Sequence, residues 1–242
     1  MRVSPEISIV TSSQMAAVDR AMVEVCGLEL MQVMEVAGRA AAIAARRLRP
    51  QGSIAILCGS GGNGGDAFVC ARYLAGWGYE VQCWLMEPAS ELRGLAGHQL
   101  QICRKLAIPI VGPEVDIAFP DSALIVDGIF GFGLKAAPDG RAAGLIEAAN
   151  DADAPILAID IPSGVDATSG STINPAILAD HTLTLGLPKQ GLLVGDGPAH
   201  AGTVIVADIG IPAAAYAAVG IPLTSTFDSA ELVTLDGRPW PV

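Results

Sequence analysis

Short apolar runs alternate with helical segments along most of this chain, and this alternation limits the folds that it can adopt. The runs that we predict as strands are residues 53–58, 80–86, 108–111, 123–127, 156–160, 182–187 and 203–208. The helical patterns that separate several of them are residues 67–77, 90–107 and 141–150. Strand–helix repetition of this kind predicts an α/β fold with a doubly wound, mostly parallel central sheet.

Two further helices are predicted before the first strand. Thr11 and Gln14 have the spacing of a capping box, which marks the start of a helix. The apolar residues of this first helix share one face, and they are Met15, Val18, Met22 and Val25. Gly27 then breaks the pattern, and a second helix follows over about 28–48. Glu35 stands on this otherwise apolar helix, and its role stays open.

Charge and cysteine usage exclude several classes of protein. The chain has 14 basic against 25 acidic residues, a formal net charge of −11, so a nucleic-acid partner is not expected. Its five cysteines form no CxxC or zinc-ligand pattern, which predicts buried thiols in a reducing compartment. No signal-peptide core and no apolar stretch of about 20 residues is present. We therefore expect a cytoplasmic protein without membrane contact.

The glycine-rich stretch CGSGGNGGDAF, residues 58–68, is the first candidate site. Its spacing Gly59-x-Gly61-x-x-Gly64 is typical of a dinucleotide-binding turn, and Glu87 follows at about the distance of a ribose-binding acid. Asp66 argues against a bare pyrophosphate there, because a carboxylate repels it. The alternative is a tight strand-to-helix turn in which Asp66 is an acid at the start of the helix.

Acidic residues end several of the predicted strands. Asp127, Asp160 and Asp208 each follow an apolar run, and Asp66 lies in the glycine-rich stretch. Because ligands bind beyond the carboxyl ends of parallel strands, we expect these acids to gather at one edge of the sheet. Packed carboxylates repel one another. Such a cluster implies a bound cation, a ligand hydroxyl or a raised pKa suited to acid–base work.

Two lysines follow loops that could reach the same edge. Lys135 follows the glycine-rich loop within 126–138, and it is either a ligand contact or a solvated side chain. Lys189 lies in LGLPKQGLL, residues 185–193, and could hold a phosphate. For Lys189 we favour the simpler interpretation, a surface turn.

Six segments, taken in order, carry a family resemblance. They are MEVAGRA (34–40), GNGGD (62–66), VDGIFGFG (126–133), DIPSGVD (160–166), ADHTLTLGLPKQGLL (179–193) and ADIGIP (207–212). The chain resembles the NAD(P)H-hydrate epimerase family, the YjeF N-terminal domain, from about residue 12 to residue 212. The ordered blocks are more specific than the glycine spacing alone.

The resemblance implies a repair isomerase that interconverts the R and S hydrates of NADH and NADPH. It implies a Rossmann-like three-layer αβα sandwich with N-terminal helices, a bound potassium ion and a homodimer. A separate NAD(P)H-hydrate dehydratase would then restore the cofactor. We expect residues 1–242 to form a single domain of this type without a fused dehydratase.

The resemblance also assigns residues. The potassium-associated positions are Asn63, Asp127 and Ser163, whose oxygen atoms suit a hard cation. The substrate-binding positions are Gly62, Asn63, Gly64, Gly65, Asp66, Gly131, Phe132, Gly133, Leu134, Lys135, Ala136, Ala137 and Asp160. Within this set, we predict that Asp160 is the catalytic acid–base group and that Lys135 tunes its charge or holds a phosphate.

The chain departs from the family pattern at two positions, and two other functions stay open. The usual double asparagine is Gly62-Asn63 here, and Val36 replaces the asparagine of the MENAG helix motif. One alternative is an NAD(P)-dependent oxidoreductase, based on the glycine spacing and Glu87. The other is a non-catalytic nucleotide-binding module of the same fold.

Overall fold

One mixed sheet organises the residues that the computed structural model describes, which are 7–49, 51–119, 122–134, 136–222, 227 and 230–241. Its strands are β1 Ser53–Cys58, β2 Glu80–Leu85, β3 Ile110–Val111, β4 Ser122–Gly128, β5 Ile156–Ile159, β6 His181–Leu185, β7 Thr203–Ala207 and β8 Leu232–Thr234. Their order across the sheet is β3-β2-β1-β4-β5-β6-β7-β8. Neighbouring strands are parallel except β7 and β8, which are antiparallel. The predicted, mostly parallel sheet is confirmed.

Helices cover both faces of the sheet. They are α1 Ser12–Glu24, α2 Leu30–Leu48, α3 Gly62–Gly76, α4 Gly94–Lys105, α5 Gly140–Asn150, α6 Gly197–Ala201 and α7 Ala213–Ala218, with a 3₁₀ turn at Gln190–Leu192. Alternate residues of β1 divide between the two faces. Ile54 and Ile56 pack with α2, α3 and α4, whereas Ala55 and Leu57 pack with α5. The fold is therefore the expected three-layer αβα sandwich.

The start of α1 forms as its capping pattern predicts. Thr11 Oγ1 accepts a hydrogen bond from the backbone N–H of Gln14, and the Gln14 side chain accepts one from Thr11 N–H. Met15 and Met22 of the apolar face are buried, but Val25 is 62% exposed. The prediction for Val25 is wrong because the helix ends at Glu24, so that residue 25 leaves the packed face.

Two other sequence expectations differ from the structure. Helix α3 begins at Gly62 rather than near Ala67, although glycine is a poor helix former, because tight packing on β1 and β4 holds its first turn. The sequence patterns predict no strand or helix after residue 208, but the structure contains α7 and β8 there. Its Ala-rich and Pro-rich composition does not reveal the short antiparallel edge strand.

The strand order places a switch point between β1 and β4. The chain builds outward from β1 through β2 to β3, and then returns to β4 on the other side and continues to β8. Loops that leave β1 and β4 therefore run in opposite directions and open a crevice beyond their carboxyl ends. In doubly wound sheets this crevice is where ligands bind.

Candidate active site

A cavity of ≈ 730 Å³ lies at this switch point. Its described wall includes residues of the loops that follow β1, β4, β5 and β6, and residues of helices α1, α2 and α3. Among the described residues, the charged ones that line it are Asp19, Asp66, Asp139, Asp160 and Lys189. Apolar side chains, among them Met34 and Phe132, supply most of the remaining wall. A mostly apolar pocket with a few convergent charged groups is typical of a small-molecule site.

The glycines after β1 divide into two kinds. A Cβ on Gly59 would overlap the carbonyl oxygen of Ile129, and a Cβ on Gly64 would overlap that of Gly59. Gly59 thus permits the segment after β1 to approach the segment after β4, and Gly64 permits α3 to approach Gly59. In contrast, a Cβ on Gly61 or Gly62 would meet nothing, and both residues line the cavity. The open pair therefore offers its backbone to a ligand at the positive end of α3.

Asp160 is held in place from two sides. Its carboxylate accepts a hydrogen bond from Phe132 N–H at 3.0 Å through Oδ2, and Oδ1 forms an ion pair with Lys189. The ammonium group of Lys189 also donates to the carbonyl oxygen of Leu185 at 2.7 Å. Asp160 has a left-handed backbone, with φ 69°, which is uncommon outside glycine. A buried ion pair at a strained residue is a frequent property of functional sites.

The carboxyls of Asp66 and Asp19 lie near this ion pair without direct partners. Neither has a hydrogen bond or an ion pair with any described residue. Burial raises the pKa of Asp66 well above its usual range, and the charges of Asp160 and Asp19 add to this effect. Burial also raises the pKa of Asp19 to about 6, although Lys189 opposes the shift. The site therefore contains carboxyls that differ in proton affinity.

Asp127 lies beneath the cavity rather than in its wall. Its Oδ2 accepts a hydrogen bond from Ser163 N–H at 2.8 Å, and its Oδ1 accepts from Ser163 Oγ at 2.6 Å and Ile129 N–H at 3.1 Å. Ser163 Oγ in turn accepts from Phe130 N–H at 2.9 Å. Burial raises the pKa of Asp127 to about 6, despite the opposing hydrogen bonds. The pair connects the loops that follow β4 and β5.

Asn63 connects the glycine-rich turn to the loop after β5. Its Nδ2 donates to the carbonyl oxygen of Ile159 at 3.2 Å, and its side chain lies against Gly131. The Asn63 Oδ1 atom is buried and has no hydrogen-bond partner among the described residues. Because a buried amide oxygen without a partner is costly, this atom marks a place where a ligand or ion would be stabilised.

Most of the predicted substrate-binding positions line the cavity. They are Gly62, Asn63, Asp66, Gly131, Phe132, Gly133, Leu134, Ala136, Ala137 and Asp160. Gly64 and Gly65 are not in its wall, since Gly64 packs on Gly59 and Gly65 on Met34. Lys135, predicted to be catalytic, lies outside the described residues.

Other residues that the sequence singled out lie elsewhere. Asp208 accepts a hydrogen bond from Gly210 N–H and does not line the cavity, so the predicted acid cluster does not include it. Glu87 is not in the wall either. Glu35 forms an ion pair with Arg72 and accepts from Gln99, so it joins three helices.

Among the charged residues of the described cavity wall, sequence reasoning missed Asp19 and Asp139 and placed Lys189 on the surface. Lys189 is not on a surface turn, because it is 1% exposed and forms the ion pair described above. The apolar residues on both sides of Lys189 in the sequence could have indicated that it is buried. Asp19 was not considered, although it occupies a position of the apolar face of α1 between Val18 and Met22. An acidic residue on the apolar face of a helix is unusual, and this could have indicated that Asp19 is a site residue.

The free cysteines match the expectation of buried thiols. Cys58, Cys70, Cys83 and Cys103 are buried, and Cys26 is half-buried. Within the described residues, no group of three or more His, Cys, Asp or Glu side chains could hold a metal ion. No helix in that part of the chain is long and apolar enough to cross a membrane.

Comparison with known proteins relates this site to a family. A family model described as YjeF-related protein N-terminus matches residues 30–191. The chain is 40% identical over 183 residues to an NAD(P)H-hydrate epimerase of Rhodopirellula baltica, which is 74% of this chain and 75% of that protein. It is 35% identical to an NAD(P)H-hydrate epimerase of Dehalogenimonas lykanthroporepellens, over 95% of this chain and 93% of that one.

Longer relatives and a solved structure agree with this assignment. A bifunctional NAD(P)H-hydrate repair enzyme of Moorella thermoacetica is 37% identical over 84% of this chain, but this chain covers only 41% of its length. The crystal structure of the yeast protein YNL200c matches the fold with a TM-score of 0.80 at 24% identity, over 94% of this chain and 100% of that one. That likeness concerns the fold alone.

The fold and the cavity together define a Rossmann-like α/β protein with an ion-paired carboxylate at the switch point of its sheet. Within that class, the chain belongs to the YjeF-related protein N-terminus family, because the family model covers most of it and relatives of similar length are 35–40% identical.

Proposed function

We propose that this chain is an NAD(P)H-hydrate epimerase, an isomerase that interconverts the R and S hydrates of NADH and NADPH. The observation that carries the proposal is the buried Asp160–Lys189 ion pair, which faces the cavity beside the open glycines of α3. Family membership and relatives that carry this name support it. The activity contributes to repair of the nicotinamide cofactor.

The chemistry explains why such a site needs an acid–base group. The two hydrates differ in the configuration of the ring carbon that bears the hydroxyl. The hydroxyl leaves as water, the ring nitrogen supplies electrons to form an iminium ion, and water returns on the opposite face. A positioned general acid and base assist both proton transfers and accelerate such steps by about 10²–10⁴-fold.

The residues divide into binding and reacting groups in this proposal. The backbone around Gly62 and residues 131–134 and 136–137 bind the nucleotide, since both border the cavity next to the positive end of α3. Asp160 exchanges protons with the substrate oxygen, and its negative charge stabilises the iminium ion. Lys135, in the same loop, keeps its predicted role as a partner of that charge.

We propose that a potassium ion binds next to the cavity, where Asn63 lines the wall and Asp127 lies outside it. We propose Asn63, Asp127 and Ser163 as its ligands, because they supply amide, carboxylate and hydroxyl oxygens, which hard cations prefer. The unpartnered Oδ1 of Asn63 supports this assignment. Asp127 has no basic partner among the described residues, so a cation would balance its charge. A bound ion would also order the loops that follow β4 and β5.

Of the two departures from the family pattern, Gly62 lies in the described cavity wall and lacks the amide side chain there, whereas Val36 does not line the wall. Val36 is 42% exposed and is absent from that wall, so an asparagine there would not point into the site. Gly62 borders open space within the cavity. For the oxidoreductase alternative, the position of Glu87 outside the described wall removes one of its two supports.

The decisive experiment starts from one purified epimer of NADPH hydrate. We expect the protein to accelerate formation of the other epimer, measured by chromatography, and to incorporate oxygen from isotopically labelled water. The rate should be higher in potassium than in sodium buffer. Binding without acceleration would identify a non-catalytic module, and reduction of NAD(P) with inertness toward hydrates would identify an oxidoreductase.

Other attributes stay predictions from the family resemblance. The bifunctional relatives are more than twice as long as this chain's matched part, which supports a second repair activity located elsewhere. We propose that a separate dehydratase consumes one of the epimers. Homodimer formation and a cytoplasmic location are tested by light scattering and by fractionation.

A further inference from the structure

The two groups that hold Asp160 in place belong to different loops, and both loops contact the same short segment. Phe132, whose N–H donates to Asp160 Oδ2, lies in the loop after β4, and Lys189 lies in the loop after β6. The segment that contacts both loops is Val10–Ser12, where α1 begins. The geometry of the proposed acid–base group therefore depends on residues outside the described cavity wall.

Val10 connects this segment to the loop that carries Lys189. Val10 N–H donates to the carbonyl oxygen of Pro188 at 2.9 Å, and the Val10 carbonyl oxygen accepts from Gln190 N–H at 2.7 Å. These two bonds lie on both sides of Lys189 and form a parallel bridge. Both use backbone atoms, so this connection does not depend on the side chain at position 10 unless it is proline.

Ser12 makes the connection to the other loop, and it does so through its side chain. Its Oγ donates to the carbonyl oxygen of Phe132 at 2.8 Å, and its backbone N–H donates to Thr168 Oγ1 at 3.0 Å. Both backbone polar groups of Phe132 are thus engaged, the N–H by Asp160 and the C=O by Ser12. Because Phe132 is bonded at both groups, a rotation that turns its N–H away from the carboxylate has to break the contact with Ser12.

Helix α1 does not require the Ser12 hydroxyl. Thr11 is the N-cap and forms the capping box with Gln14, so the side-chain capping of the first turn is complete without Ser12. Alanine is moreover a good helix former. Ser13 offers a matched comparison, since it is exposed and its Oγ lies 3.0 Å from Thr11 Oγ1, with no bond to either loop among the described residues.

We propose that Ser12 is a positioning residue of this site, which holds Phe132 in the orientation that lets its N–H bind Asp160. Ser12 is not part of the described cavity wall, so it acts through Phe132 rather than on the substrate. The proposal rests on the function proposed above, in which Asp160 is the reacting group. It goes beyond that function because it assigns a role to the start of α1, 120 residues away from Phe132 in the sequence.

The first test does not depend on activity. Amide hydrogen exchange at Phe132 is measured by NMR in wild type, Ser12→Ala and Ser13→Ala. We expect exchange of the Phe132 N–H to be about 3–10-fold faster in Ser12→Ala, because the loss of one hydrogen bond frees the loop to open locally. Ser13→Ala should exchange like wild type, and Ser12→Thr, which keeps the hydroxyl, should restore most of the protection. Equal exchange in Ser12→Ala and Ser13→Ala would overturn the proposal.

The second test measures kcat from a single epimer of NADPH hydrate. Ser12→Ala should lower kcat about 10–10²-fold, because small displacements of a reacting group have effects of this size. Ser12→Thr should recover most of the rate, and Ser13→Ala should leave the rate and thermal unfolding unchanged. In an Asp160→Asn background, Ser12→Ala should change the remaining rate by less than about twofold, since the group that it positions is absent. Equal losses in both backgrounds would indicate a merely structural role.

Together the two tests separate this proposal from the proposed function. If wild type interconverts the epimers and Ser12→Ala does so with the same kcat, Ser12 is not a positioning residue, although the proposed function stands. If wild type fails to accelerate interconversion, the proposed function fails. Faster exchange at Phe132 in Ser12→Ala would then still show that Ser12 holds Phe132 in place.

Discussion

Two buried aspartates stand at the carboxyl ends of the neighbouring strands β4 and β5, and their surroundings differ. Asp127 is held by hydrogen bonds from Ser163 and Ile129, with no basic side chain beside it among the described residues. Asp160 is held by the ammonium group of Lys189 and by one backbone N–H. Asp160 lines the cavity, whereas Asp127 lies beneath it.

This difference separates a carboxylate that connects two loops from one that faces the cavity. Three hydrogen bonds connect Asp127 to the loops that follow β4 and β5, so its carboxylate fixes the geometry of these loops. Asp160 keeps a buried counter-charge, which permits an ionised carboxylate in an otherwise apolar wall. An apolar strand that ends in aspartate is therefore found in two different surroundings in this protein.

Among the substitutions that test this comparison, Lys189→Met should have the largest effect on stability and activity. The substitution leaves Asp160 buried without its counter-charge, so we expect the free energy of unfolding to fall by about 3–5 kcal/mol in urea titrations. Epimerase activity should be lost as well. The double variant Asp160→Asn/Lys189→Met removes both charges and should recover most of the stability. Equal losses in the single and double variants would show that the ion pair is not the cause.

Ser163→Ala should have a moderate effect on stability. It removes a hydrogen bond to Asp127 and leaves the ion pair of Asp160 intact. The change removes the Ser163 hydroxyl that donates to Asp127, and it leaves Phe130 N–H without its acceptor. We expect about 1–3 kcal/mol of lost stability. Ser169→Ala is the matched control, since Ser169 also donates to an aspartate, Asp166, but at an exposed turn. It should change the unfolding free energy by less than about 0.5 kcal/mol.

The smallest effect on stability should come from the glycines that border the cavity. Gly61→Ala adds a methyl group into open space and should change the unfolding free energy by less than about 0.5 kcal/mol. It should nevertheless weaken NADPH-hydrate binding, measured by calorimetry. Gly64→Ala is the contrasting variant, because its Cβ would overlap the Gly59 carbonyl oxygen. A loss of about 1–3 kcal/mol or more is expected there.

The site was predictable from sequence where its residues lie in loops that directly follow strands. Asp127, Asp160 and Ser163 could be placed at one edge because parallel strands align their carboxyl ends. Lys189 and Asp19 were not predictable in this way. Lys189 is buried by its ion pair, a tertiary contact, and Asp19 reaches the cavity because α1 packs above the sheet edge.

The sequence by itself determined the α/β alternation, the capped first helix and the family, because hydrophobic period and short motifs are local properties. Only the tertiary structure decided which strand-end acids meet, which glycines face open space and where Lys189 lies. These features depend on contacts between segments that are far apart in the sequence. An example is the hydrogen bond between Asn63 and Ile159, which are 96 residues apart. Local sequence patterns contain no information on these long-range contacts, so only the tertiary packing determines which groups each charged side chain contacts.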